Sequence, residues 1–159
     1  MASRRTILIL LLPVFWWGMM AIHELGHILS TKLNGGVIDS VELRPWMLSQ
    51  TERHGSAHEL MDIWAGPLFG SLAPVLIWLM GRKLNERPRY YAAAWAGICL
   101  IINGMYLALG WLTGEANDSG EIVEAGTSPI LIVLVGAALA GSGLYGIHVL
   151  LERDRTNST

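Results

Sequence analysis

Residues 6–29 read TILILLLPVFWWGMMAIHELGHIL, an apolar run that carries no charge until it reaches His23 and Glu24. A helix rises about 1.5 Å per residue, so crossing the roughly 30 Å hydrocarbon slab takes about 20 residues. The uncharged part, Thr6 to Ile22, reaches that length only by taking in His23 to Leu29. The polar pentapeptide HELGH therefore falls inside a candidate membrane span. Three further stretches have the same character: Ile63 to Gly81, Tyr90 to Gly114 and Ala125 to Leu151. Hydrophobic residues make up 52% of the 159-residue chain, and its charges are gathered between these stretches. A soluble four-helix bundle would carry a charged face on each helix, and none is present. The expected fold is an all-α membrane protein of about four transmembrane helices, with residues 1–151 as a single domain and a disordered polar tail at 152–159.

Arg4 and Arg5 ahead of an apolar run also fit a signal peptide. No small-x-small cleavage site follows, and removal would leave HELGH at a new chain end, so an uncleaved first helix is expected. Ser56 to Glu59 reads as a capping box, Pro88 suits a first helical turn, and Ser128-Pro129 pairs an N-cap with an N1 proline. Helices two, three and four should begin near these points. After Gly35-Gly36, the alternating and β-branched stretch Val37 to Leu43 predicts a short strand, half of a hairpin ending before Ser56.

Short connectors make neighbouring helices antiparallel. The end of helix one, residues 32–60 and residues 113–128 then share one face of the membrane. Of eleven Lys and Arg residues, eight (Arg4, Arg5, Arg82, Lys83, Arg87, Arg89, Arg153, Arg155) lie on the other face. The positive-inside rule makes that face cytoplasmic. The expectation is a multi-pass protein of the cell membrane with both termini in the cytoplasm and HELGH toward the outside. A net charge of -2 and the lack of a basic, aromatic-interleaved stripe exclude nucleic acid as a partner. The single cysteine, Cys99, offers neither a disulfide nor a thiolate cluster and is expected to pack.

His23 and His27, at i and i+4, place two imidazoles on one helical face at the separation that binds a single zinc ion. Glu24 beside them is then placed to take a proton from metal-activated water and pass it to a leaving amine. Ionisable groups at this depth cost several kcal/mol unless paired or metal-bound. A catalytic zinc needs a third protein ligand and an open position. Asp118, in the acidic cluster EANDSGE at 115–121, is the leading candidate, with Glu121, Glu124, His54 and His58 as competitors on the same face. His148 is excluded by its distance along the last helix. A small transporter would require polar residues through the bundle depth, where Asn103 stands nearly alone.

HELGH in the first span, AGPLFG at 65–70 in the second and an Asp-containing segment after the third resemble, in order and spacing, the site-2 protease family of intramembrane zinc metalloproteases. The resemblance covers about 100 residues. It implies His23, His27 and Asp118 as zinc ligands and Glu24 as catalytic base. It also implies a β-strand near the site, for which Val37 to Leu43 is the candidate, able to hold an extended membrane protein or peptide substrate by backbone pairing. Gly66, Gly70 and Ala73 would let helix two approach a neighbour. The sequence differs from the family pattern in having Asp118-Ser119-Gly120 for an Asp-Gly pair, Gly70 for an asparagine, and a motif face predicted outside rather than cytosolic. The membrane proteases related to prenyl-protein proteases share HELGH-like motifs and would instead use Glu115 or Glu121. A non-catalytic membrane binding or regulatory protein retaining the metal site is the alternative of another class.

Overall fold

The structure is a computed structural model that describes residues 4–83, 85–114 and 117–156. In chain order it has α1 (Arg4–Leu33), a hairpin of β1 (Val37–Glu42) and β2 (Gln50–His54), α2 (Glu59–Met80), α3 (Glu86–Leu109), the short α4 (Asp118–Glu124) and α5 (Pro129–Thr156). Four helical segments are long and apolar enough to cross a membrane: Thr6–Leu33, Glu59–Met80, Glu86–Thr113 and Pro129–Thr156. The apolar stretches of the sequence are these spans, and the chain has the make-up of an integral membrane protein.

The helices pack in the order α1, α2, α3, α5. Small residues set the spacing. Gly26 meets the Ala65 carbonyl between α1 and α2, and Gly104 and Gly136 face each other between α3 and α5. Without a hydrophobic driving force inside lipid, such close backbone approach is a main source of helix association. The two ends of the bundle are distinct. Arg4 of α1 reaches Glu86 of α3 at 3.5 Å and Asp154 of α5 at 3.4 Å. The hairpin and α4 lie at the opposite end with the last turns of α1, as the antiparallel reading requires.

Two local expectations are corrected. The tail from Glu152 is not disordered over its described part but continues α5 to Thr156, because Asp154 turns inward, 9% exposed, onto Arg4; residues 157–159 lie outside the described residues. The cap of α2 is His58 rather than Ser56, whose hydroxyl accepts from the His58 amide at 3.2 Å instead. Pro129 opens α5 and Pro88 lies in the first turn of α3, as read.

The hairpin is antiparallel, with Val37 opposite His54 and Glu42 opposite Gln50, and an irregularity at Asp39. Its connecting segment folds back along α1. Trp16 Nε1 donates to the Pro45 carbonyl at 2.9 Å and Trp17 Nε1 to the Leu43 carbonyl at 3.4 Å. These tryptophans lie about two turns before His23, so irregular backbone is carried to span depth, where every unsatisfied carbonyl is costly. The two indoles supply the missing donors. Replacing Trp16 by Phe leaves Pro45 unpaired, and we expect a local destabilisation of about 1 kcal/mol. Hydrogen exchange of the amides at 46–49 should accelerate several-fold, with α3 and α5 unchanged.

Candidate metal centre

The i, i+4 spacing on α1 brings the His23 and His27 Nε2 atoms within 3.2 Å of each other. Asp118 Oδ2, from the first turn of α4, lies 2.9 Å from His23 Nε2 and 3.3 Å from His27 Nε2. All three residues were singled out from the sequence, and the fold brings them to one point. Their outer nitrogens are already engaged. His27 Nδ1 is 2.7 Å from the Asp62 carbonyl, which can only accept, so that nitrogen carries a proton. His23 Nδ1 is 2.7 Å from Asn103 Oδ1. The Asn103 amide nitrogen donates to the Cys99 carbonyl at 3.0 Å, which fixes the oxygen toward the ring. In neutral rings both Nε2 atoms then point lone pairs at each other and at a carboxylate oxygen.

One proton can satisfy one edge of this triangle, whereas a cation near its centre satisfies all three. Tetrahedral zinc with N and O ligands at about 2.0 to 2.1 Å has neighbouring ligand atoms about 3.3 Å apart. The observed edges of 2.9, 3.2 and 3.3 Å match that dimension. Burial alone would push the Asp118 carboxyl up; where the rings carry a proton at Nε2, their hydrogen bonds and positive charge outweigh this and hold it well below the usual carboxylate range. The donor set therefore suits a divalent ion of the zinc type.

Glu24 places a carboxylate oxygen within 4.8 Å of both ligand nitrogens. It is buried, and its Oε2 accepts from Thr51 Oγ1 of β2 at 2.6 Å. The strand nearest the site is thus β2, not the Val37 to Leu43 strand expected from the sequence. A polar cavity of about 80 Å³ opens onto Glu24 and Asp118, walled by Ser49, Gln50 and Thr51 and by Arg53 and Glu121. It has room for water. On the other side of Leu48 and Ser49 a smaller cavity of about 50 Å³, walled by Trp16, Met19, Met20 and Ile102, reaches His23 from within the bundle.

The competing ligands lie elsewhere. His54 faces Asp39 at 2.6 Å, Glu121 pairs with Arg53 at 3.3 Å, and both His58 and Glu124 are exposed. His148 lies beside Glu152, as the distance argument required. Glu115 falls outside the described residues. Asp118 belongs to a short helix rather than a loop. Asn117 caps it by accepting from the Gly120 amide at 3.0 Å. Ser119 donates to the Leu107 carbonyl at 2.8 Å, and fully buried Ile122 packs with Ile63, Leu107 and Ile132. The Tyr106 hydroxyl accepts from the Asp118 amide at 3.1 Å.

Sequence reasoning missed Asn103, Asp62, Thr51 and Tyr106. Asn103 had a signal, a lone amide in an apolar span. Asp62 also ties α2 to α1 by accepting from Ser30 Oγ at 2.5 Å and Asn34 Nδ2 at 2.8 Å. Helix two makes space for the rings. A methyl group at Gly66 would overlap the His27 imidazole, and one at Gly70 would lie 2.9 Å from Asn103 Oδ1.

Four spans and a buried His, His, carboxylate cluster at one end define a polytopic membrane protein with a metal-type centre. The family model for Peptidase M50B-like proteins matches residues 5–114, more than half of the chain, and the chain belongs to that family. The resemblance to site-2 proteases read from HELGH and AGPLFG is thereby upheld. No curated protein and no solved structure matches the chain. The family match stops short of Asp118, whose place at the cluster rests on geometry. Gly66→Ala should displace His27 and lower the divalent metal retained after purification by at least about ten-fold, the scale of disturbed ligand support. Metal analysis of the purified protein checks this.

Proposed function

We propose that the protein is an intramembrane zinc metallopeptidase that hydrolyses peptide bonds of membrane-associated substrates, with His23, His27 and Asp118 holding the metal. The observation that carries this reading is the convergence of two imidazole nitrogens, whose ring protons are committed elsewhere, and one carboxylate oxygen of Asp118, with a second carboxylate, Glu24, beside them. A structural zinc site has a closed four-ligand shell, and a catalytic one keeps a position open. A zinc ion held here would supply Lewis acidity toward a peptide carbonyl and activation of water.

Glu24 is the proton carrier. Thr51 holds its Oε2, which leaves Oε1 for the proton taken from water and later delivered to the departing amine. His27 and His23 are held in one tautomer by Asp62 and Asn103, so neither competes for that proton. The polar cavity offers water a route to Glu24, and the smaller, mostly apolar one reaches His23. A segment unwound at this point could pair its backbone with the hairpin, which would make up for the helical hydrogen bonds it loses. The basic residues at the other end of the bundle favour cytoplasmic termini.

The test is zinc content and cleavage of a transmembrane peptide by detergent-purified wild type, Glu24→Gln and Asp118→Ala. Wild type should hold about one zinc and cut. Glu24→Gln should keep the metal and lose at least about a hundred-fold in rate, the scale of general base catalysis. Asp118→Ala should lose metal. Zinc without Glu24-dependent cleavage would transfer the protein to the metal-retaining binding or regulatory class, and no metal in the wild type would overturn both.

A further inference from the structure

At the end of the bundle far from HELGH, α1, α2, α3 and α5 enclose a cavity of about 420 Å³. Its floor is apolar and aromatic, with Tyr90 and Ala93 of α3 against Leu150 of α5 and Trp78 of α2 on one side. Its polar rim consists of Arg4, Arg89 and Arg153 with Glu86 and Asp154. Arg4 is engaged from three directions, by Glu86 at 3.5 Å, by Asp154 at 3.4 Å, and by the Tyr90 ring 5.7 Å beneath its guanidinium. Arg89 and Arg153 are exposed and have no ion-pair partner among the described residues.

Three arginines against two carboxylates leave one positive charge at the rim. The cavity lies near the ends of the candidate spans, where lipid headgroups would sit. We propose that it is a seat for one anionic phospholipid: Arg89 and Arg153 grip the phosphodiester, while the glycerol backbone and upper acyl chain rest on Tyr90, Ala93 and Leu150. A phosphodiester carries the single negative charge that the rim lacks, and arginine's planar fork suits phosphate oxygens. Basic pockets between membrane helices bind such headgroups, each basic residue contributing by its charge. A zwitterionic lipid would bring its own ammonium group to the rim and lose this advantage. The site is independent of the zinc centre and does not rest on the proposed peptidase activity.

Native mass spectrometry of the full chain in mild detergent, titrated with phosphatidylglycerol or phosphatidylcholine, tests the proposal. One phosphatidylglycerol should bind in preference to phosphatidylcholine. Arg89→Gln and Arg153→Gln should each weaken it about five-fold, the factor for one basic residue near an anionic headgroup. Arg89→Lys should retain most of the affinity, and neither exposed arginine is needed for packing. Ala93→Leu fills the floor without changing charge and should weaken binding as well, whereas Arg155→Gln, on the same face outside the rim, should not. Equal binding of the two lipids would overturn the proposal. So would a loss with Arg155→Gln as large as with Arg89→Gln, since diffuse surface charge would then suffice. Displacement of the lipid by millimolar inorganic phosphate would identify a free phosphate site and overturn the lipid assignment.

Discussion

The structure depends on where two protons are kept. His23 and His27 can turn lone pairs toward a common point only because Asn103 Oδ1 and the Asp62 carbonyl occupy their other nitrogens. Those acceptors come from two different helices, so α1 must be clasped by α2 and α3 together. The clasp in turn requires small residues on α2. Gly66 makes space for the His27 ring and Gly70 for the Asn103 amide, and a larger side chain at either would separate the helices that set the tautomers. The Asp62 carboxylate adds a second tie by bonding Ser30 in the last turn of α1 and Asn34 just beyond it. Helix packing and the chemistry of the site are thus one constraint rather than two.

The third vertex of the triangle is brought in differently. A carboxylate outside a span could swing into water, and its entropy would weaken any ligand role. Here α4 is short but pinned at both ends, by the Asn117 cap and the Ser119 hydroxyl at its start and by Ile122 in the apolar cluster under its end. Tyr106 holds the Asp118 amide from below. Glu121, one turn on, is drawn outward by Arg53 of the hairpin. That pair explains why one carboxylate of the acidic cluster faces the histidines and the next does not.

The four spans, the histidine pair and its glutamate were legible because each is a local pattern: apolar runs between charges, an i, i+4 repeat on one turn, a proline after a serine. Asp118 was legible as the leading candidate through chain order, but what holds its helix in place, the Ile122 plug, is a contact between distant segments. Asn103 and Asp62 were passed over for the same reason. A lone amide and an acid at a helix start become informative only when their partners 80 and 35 residues away are known. The second strand was implied as the other half of a hairpin ending before Ser56, but it had no expected bounds because Gln50 to His54 has no apolar alternation. Its pairing is set by β1, and its one buried side chain, Thr51, is turned toward Glu24. The helical tail reads as polar and unstructured until Asp154 is seen to meet Arg4 from the other end of the chain.

Under the proposed function, the hairpin would resolve a conflict inherent in hydrolysis within a membrane, which needs a lipid-soluble peptide and water at one carboxylate. Leu48 and Ser49 stand between an apolar cavity bounded by Trp16, Met19 and Ile102 and a polar one bounded by Gln50, Arg53 and Glu121. The two cavities share Leu48, Ser49 and Tyr106 as walls; one reaches His23, the other Glu24 and Asp118. The backbone between them, at 43–49, is irregular. In lipid such backbone survives only with donors supplied to its carbonyls, and Trp16 and Trp17 supply them from the very helix that carries the histidines. The aromatic pair in α1 is therefore part of the same design as HELGH: one holds the irregular backbone between the two cavities, the other holds the cluster that the proposed hydrolysis would use.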